Sequence, residues 1–222
     1  MKLRVDALSV ESPQGQRLLS VPQLDLATGR SLAIRGPSGA GKSTLLFTLS
    51  GLLEVTQGSV KWGDLELAGL SDAQRTRFRG ENLGLVFQDH LLFEELSASD
   101  NAGIAALYSR PAQRAGVTRQ ASDTLSHLGL AADTQRTVTS YSGGERQRIA
   151  VARALAAQPK VLLADEPTAS LDRETADALI ADLLESAGKA KRTFVVVSHD
   201  PALIEACDHV LTIEDGEVTG FD

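Results

Sequence analysis

Cysteine is almost absent from this chain of 222 residues. Cys207 stands alone, which excludes an intramolecular disulfide framework and reads as a small buried side chain in a reducing compartment. Long hydrophobic runs are missing as well. The longest, at 161–164 and 194–197, are strand-sized and far below the roughly 20 residues that cross a bilayer, so any membrane role needs a second chain. The opening MKLRVDALSV has a weak positive charge but no apolar run followed by a small-residue cleavage site, and does not read as an export signal. Positive charge is in deficit: 22 Lys and Arg face 29 Asp and Glu for a net −7. The arginines are scattered, which weighs against an electrostatic footprint for nucleic acid. Repeats and low-complexity tracts are also lacking, and the length suits one large domain that buries its own core.

Apolar residues that are present fall into short periodic pieces. Leu3, Val5 and Ala7, then Leu8 and Val10, indicate an early strand; Ser12-Pro13-Gln14-Gly15 indicates a turn, and 18–26 a second extended piece, together an antiparallel N-terminal sheet. A strand at 31–35 runs into a glycine-rich loop, and 42–50 follows as a helix stopped by Gly51. Glycines at 58, 63 and 69 punctuate a small hairpin at 59–62 and 65–67, and 83–87 forms a further strand ending at Gln88. From 94 to about 134, stretches rich in Ala, Leu and Ser read as helices, with Pro111 and Gly116 interrupting them; 89–145 is thus expected to be a helical subdomain within a single domain of 1–222. A helix with the apolar face Ile149, Ala150, Val151, Ala154 and Leu155 ends near Pro159; strands at 161–164 and 193–197 then flank a helix over 173–187. Alternating strands and helices predict an α/β fold with a mostly parallel core sheet, where ligands gather at the carboxyl ends of the strands.

The loop Gly36-Pro37-Ser38-Gly39-Ala40-Gly41-Lys42-Ser43-Thr44 fits G-x-x-x-x-G-K-[ST] between a predicted strand and a predicted helix. In that pattern backbone N–H groups wrap phosphates, Lys42 reaches the β- and γ-phosphates and Ser43 binds Mg²⁺. VLLADEP supplies a buried strand with Asp165 at its end for the Mg²⁺ shell, and Glu166 beside it to orient or deprotonate an attacking water. An Asp-Glu pair alone is more often a solvated surface feature; the apolar strand before it and the phosphate loop upstream reverse that reading. Gln88 and His199 each follow an apolar strand and are expected at the same sheet edge, Gln88 sensing water or Mg²⁺ and His199 hydrogen-bonding the γ-phosphate. ATP and Mg²⁺ are therefore the expected cofactors.

These segments, with YSGGERQR at 141–148, resemble the ATPase subunits of ATP-binding-cassette transporters over nearly the whole chain. Ser142-Gly143-Gly144-Glu145 looks like the signature motif of that family. The resemblance implies a P-loop NTPase fold and a head-to-tail dimer sandwiching two ATP molecules, in which Ser142, Gly143, Gly144 and Glu145 serve the γ-phosphate held by the partner's loop. Asp172, in Ser170-Leu171-Asp172, is implied as an interface residue; read alone, it is also an ordinary helix N-cap. LGLVFQ, HLLFEELSASDN and DEPTASLD are most similar to the lipoprotein-releasing and macrolide-exporter group. One departure stands out. No aromatic residue precedes Phe47, so the stacking residue that the family places upstream of the loop is absent, and adenine is left to apolar contact near 10–13. Tyr141 and Glu145 stand where leucine and glutamine are commoner.

The resemblance implies an ATPase at the inner face of the cell membrane, cytoplasmic and peripheral, driving a membrane permease as a homodimer. Leu91, Leu92, Phe93 and Leu96 could receive a permease helix or belong to the subdomain core. Two alternatives stand beside this: an ATP-driven switch on a membrane partner, as in cell division, and a soluble clamp on nucleic acid. The second is disfavoured by the acidic balance and by the lack of a long coiled-coil insertion.

Overall fold

The computed structural model describes residues 1–130 and 136–222; the end of the helical stretch expected to reach 134 lies outside them. Strand β1 (Leu3–Glu11) pairs antiparallel with β2 (Arg17–Leu26) across the predicted turn. The apolar phase of β1 switches after Val5, because Ala7 takes a left-handed φ of 46° and the register with the next neighbour slips between Asp6 and Ser9. That bulge lets Leu3, Val5, Leu8 and Val10 all face the core. After β3 (Ser31–Arg35) and helix α1 (Lys42–Leu49), strand β4 (Gln57–Trp62) lies against β1 and turns into the short β5 (Leu65–Glu66).

Helix α2 (Asp72–Asn82) has no counterpart in the expected elements. Its apolar content is low and only Phe78 is buried, so periodicity is silent; its signal is local, a capping box in which Ser71 and Gln74 satisfy each other's backbone N–H. Strand β6 (Leu83–Val86) follows. The helical region holds α3 (Ala98–Gly103), α4 (Ala105–Tyr108) and α5 (Pro111–His127). Pro111 and Gly116 do not interrupt a helix there. Pro111 starts α5 at its first position, where a missing N–H costs nothing, and Gly116 lies inside it.

After a short 3₁₀ turn (Val138–Ser140) come α6 (Gly143–Ala156), β7 (Val161–Asp165), α7 (Arg173–Lys189), β8 (Thr193–Val197) and α8 (Pro201–Glu205). A closing antiparallel pair, β9 (His209–Glu214) and β10 (Glu217–Phe221), was not expected. The ten strands of the described residues join one sheet in the order β5-β4-β1-β2-β10-β9-β3-β8-β7-β6, and its half from β9 to β6 is parallel.

Period-two alternation divides the two cores. Ala33, Leu162, Ala164, Phe194 and Val196 point to one face, covered by α3, α5, α6 and α7. Leu32, Ile34, Val161, Leu163, Val195 and Val197 point to the other, covered by α1 and the N-terminal strands. Residues of both sets are at most 1% exposed, which is why the central strands read as continuous apolar runs. Among the described residues no helix is long and apolar enough to cross a membrane.

Candidate functional site

Four adjacent parallel strands end at one edge. Ile34 pairs with Val197, Val197 with Asp165, and Ala164 with Val86, so the segments following β3, β8, β7 and β6 leave the sheet side by side. Those segments carry the glycine loop, His199, Asp165-Glu166 and Gln88. They enclose a cavity of about 540 Å³, within the range that holds small-molecule ligands (about 300–1,000 Å³). Ser38, Gly39, Lys42, Ser43, Gln88, Asp165, Glu166 and His199 line it; among the described residues no Phe, Tyr or Trp does.

Backbone geometry shapes the loop. Gly36 has φ +150° and passes so close to β9 that a Cβ there would sit 1.9 Å from the Ile213 carbonyl oxygen, so only glycine permits this exit from β3. Gly41, at φ +100°, is the N-cap of α1 and offers no side-chain oxygen, leaving the first N–H groups of the helix free for an anion. Lys42 is only 7% exposed, and its Nζ donates to the carbonyls of Gly36 (2.9 Å) and Pro37 (2.8 Å), which curls the loop around its own ammonium.

Asp165 closes β7 at 4% exposure, and its Oδ1 is buried without a hydrogen-bond partner. Burial pushes its carboxyl above the usual aspartate range, against the opposing pull of Ser43 and Lys42. A buried carboxylate oxygen with no donor, next to a serine hydroxyl, fits a hard oxygen-seeking cation such as Mg²⁺. Glu166 takes a left-handed φ of 46°, and its N–H donates to the Val197 carbonyl at 2.9 Å. This turn swings the carboxylate to His199, whose backbone N–H donates to Oε2 (3.3 Å) and whose Nε2 lies 3.4 Å from Oε1. Burial foremost raises the Glu166 carboxyl; the charge and backbone N–H of His199 draw it down and neighbouring Asp165 raises it further.

Ser142, Gly143, Gly144, Glu145 and Asp172 lie outside the cavity. Ser142 caps α6: its Oγ accepts from the Glu145 N–H (3.3 Å) while Glu145 Oε2 accepts from the Ser142 N–H (2.8 Å). Asp172 caps α7 by accepting from the Thr175 N–H at 3.0 Å, as its local reading expects. The two caps are neighbours, since a Cβ on Gly144 would lie 3.1 Å from Leu171 Cδ2. Within one chain the Ser142–Glu145 patch at the N-terminus of α6 therefore does not line the cavity.

The sequence reading does not include Thr168, Arg173 and Asp200 among the site residues, although all three line the cavity. For Arg173 and Asp200 the available signal is adjacency, one following Asp172 and the other following His199.

The family described as ABC transporter matches residues 19–169. The chain is 40% identical to the lipoprotein-releasing system ATP-binding protein LolD of Anaeromyxobacter dehalogenans over 94% of its own length and 87% of the relative's. It is 41% identical to the LolD of Bordetella pertussis, over 94% and 90%. Among solved structures, the ATP-binding cassette MJ0796, a dimer in a post-hydrolysis state bound to ADP and Pi, superposes with a TM-score of 0.90 at 28% identity, covering 99% of this chain and 97% of that one. CbiO1 from Clostridium perfringens, part of the ABC transporter complex cbiONQ, gives 0.85 at 26% identity, over 99% and 87%.

Proposed function

Because the chain belongs to the ABC transporter family, we propose that two copies close head to tail on two ATP molecules, each cavity being completed by the other copy's Ser142–Glu145 patch. The chain is an ATP-binding and ATP-hydrolysing subunit that powers a membrane transporter. The observation that carries the dimer reading is the separation just described: the patch at the N-terminus of α6 is an anion site by its helix dipole and N–H groups, yet its own chain's cavity does not include it.

In the proposed reaction the N–H groups of the loop and of α1 hold the phosphates, and Lys42 leaves its two carbonyls for the β- and γ-phosphates. Glu166 orients the attacking water and takes its proton, while His199 hydrogen-bonds the γ-phosphate and fixes the Glu166 carboxylate. Ser43, Asp165 and Gln88 would hold Mg²⁺, which when bound neutralises charge developing on the phosphates. The whole chain acts as one ATPase domain, with 89–145 as its helical subdomain and Asp172 at the dimer interface.

The relatives' names extend the proposal to lipoprotein release, with the chain peripheral on the cytoplasmic face of the membrane and bound to a permease. Support for a docking surface comes from the segment after Gln88. Leu91 and Phe93 are 56% and 52% exposed, whereas Leu92 packs against the core. His90 and Leu91 both adopt left-handed backbone (φ 60° and 48°), and Arg153 of α6 donates to both carbonyls, at 2.6 and 2.5 Å. The apolar pair is thus presented rigidly beside Gln88. Tagged chain carrying Glu166→Gln, solubilised from native membranes with ATP, is expected to co-purify with a polytopic membrane protein in near-equal amount. Leu91→Ser with Phe93→Ser should abolish that co-purification while leaving the hydrolysis rate of the isolated chain within about twofold. Retention of the membrane protein would place docking elsewhere, and recovery of nucleic-acid machinery instead would overturn the transporter reading.

The raised Glu166 carboxyl sets a pH dependence. A base must be ionised, so kcat should fall on acidification through a value above the ordinary glutamate range of about 4.3. A kcat profile flat to below that value would show that Glu166 ionisation does not govern the step.

A further inference from the structure

We propose that Arg173 is a positioning residue for hydrolysis, holding Asp200 and through it the backbone of His199 in register with Glu166. This rests on the roles proposed above for Glu166 and His199. Arg173 is the first residue of α7, directly after Asp172, and it lines the cavity. Its Nη1 donates to Asp200 Oδ1 at 3.0 Å and lies 3.2 Å from Oδ2, while its Nη2 pairs with Asp177 one turn along the helix.

Asp200 is fixed from three sides. Arg173 holds its carboxylate, the same Oδ1 accepts from the Ala202 N–H to cap α8 (3.0 Å), and its own N–H donates to Ser198 Oγ (3.0 Å). Its side chain is 11% exposed, against 55% for Arg173. One peptide earlier in the chain, the His199 N–H donates to Glu166. A continuous path therefore runs from the cap of α7 through Arg173 and Asp200 to the carboxylate that activates water. Because Asp172 precedes Arg173, a shift of the 170–172 segment is passed to His199.

An ion pair this exposed on the arginine side contributes little to folding stability, so a catalytic effect of breaking it reports on geometry. Misplacing a reacting group by about 1 Å costs on the order of a hundredfold in rate. Arg173→Met should lower kcat by about ten- to a hundredfold, with KM for ATP within about twofold and an unchanged melting temperature. Arg173→Lys, which keeps one cation for Asp200, should recover most of the loss. Asp177→Ala, which leaves the Asp200 contact intact, should have no effect. In a Glu166→Gln background Arg173→Met should add no further loss, since the carboxylate whose placement it secures no longer acts as a base. An unchanged kcat in Arg173→Met, or an equal further loss in that background, overturns the proposal. Should His199→Ala itself leave hydrolysis unchanged, the reading of the site fails first; a large effect of His199→Ala with none of Arg173→Met removes this inference alone.

Discussion

Glu166→Gln should keep ATP binding and lose about 10²–10⁴-fold in hydrolysis, the usual contribution of a positioned general base. The amide has nearly the shape of the carboxylate and retains an oxygen to accept the His199 N–H, now 3.3 Å from Oε2, so the left-handed turn at 166 and the cavity wall should survive. What it loses is the ability to take a proton. Burial already disfavours the charge of Glu166, so a neutral side chain should leave the nucleotide-free protein at least as stable. With hydrolysis blocked and binding intact, ATP should accumulate in a closed dimer, seen as a doubled mass by light scattering and as intact nucleotide after single-turnover incubation. A turnover rate equal to that of the unsubstituted chain would remove Glu166 from the catalytic role.

Lys42→Ala acts one step earlier. The Lys42 ammonium is buried to 7% exposure and satisfied by two carbonyls of its own loop. Without nucleotide, the variant loses a buried charge along with the bonds that cost offsets, and its melting temperature should move little. With nucleotide the balance changes, because no other lysine lines the cavity among the described residues. Deleting one partner of a buried charge pair costs about 2–5 kcal/mol, so the ATP dissociation constant should rise by roughly 30- to several-thousand-fold. Calorimetric titration of the variant, together with the loss of the thermal shift that ATP produces, checks this. Tight binding would contradict the phosphate contact assigned to Lys42.

The legible parts of the chain were those where one physical rule dominates. Val161–Asp165 and Thr193–Val197 stand within a residue of their expected bounds, because strands buried on both faces must be apolar throughout. The convergence of Gln88, Asp165, Glu166 and His199 on one cavity follows from parallel strands ending in register, which the sequence pattern implies once the sheet is expected to be parallel. Missed elements obey weaker or more local rules. Asp72–Asn82 is polar almost throughout and is set by its capping box, while Pro111 has two opposite meanings in a helix and only its position in the turn decides between them. The role of Arg173 is legible only in the fold, which brings its sequence-remote partner Asp200 within 3.0 Å.

Gly144 lies against Leu171, so the cap of α6 and the segment leading to Asp172 form one contiguous strip on the surface of each chain. In the proposed dimer that strip is what each copy lends to its neighbour, while the cavity is what each copy keeps. A defect in the α6-cap part of the strip, at Ser142 to Glu145, would then leave its own cavity intact and cripple the neighbour's. In a cell carrying both forms, such a lesion would behave dominantly, since every mixed pair would contain one damaged site.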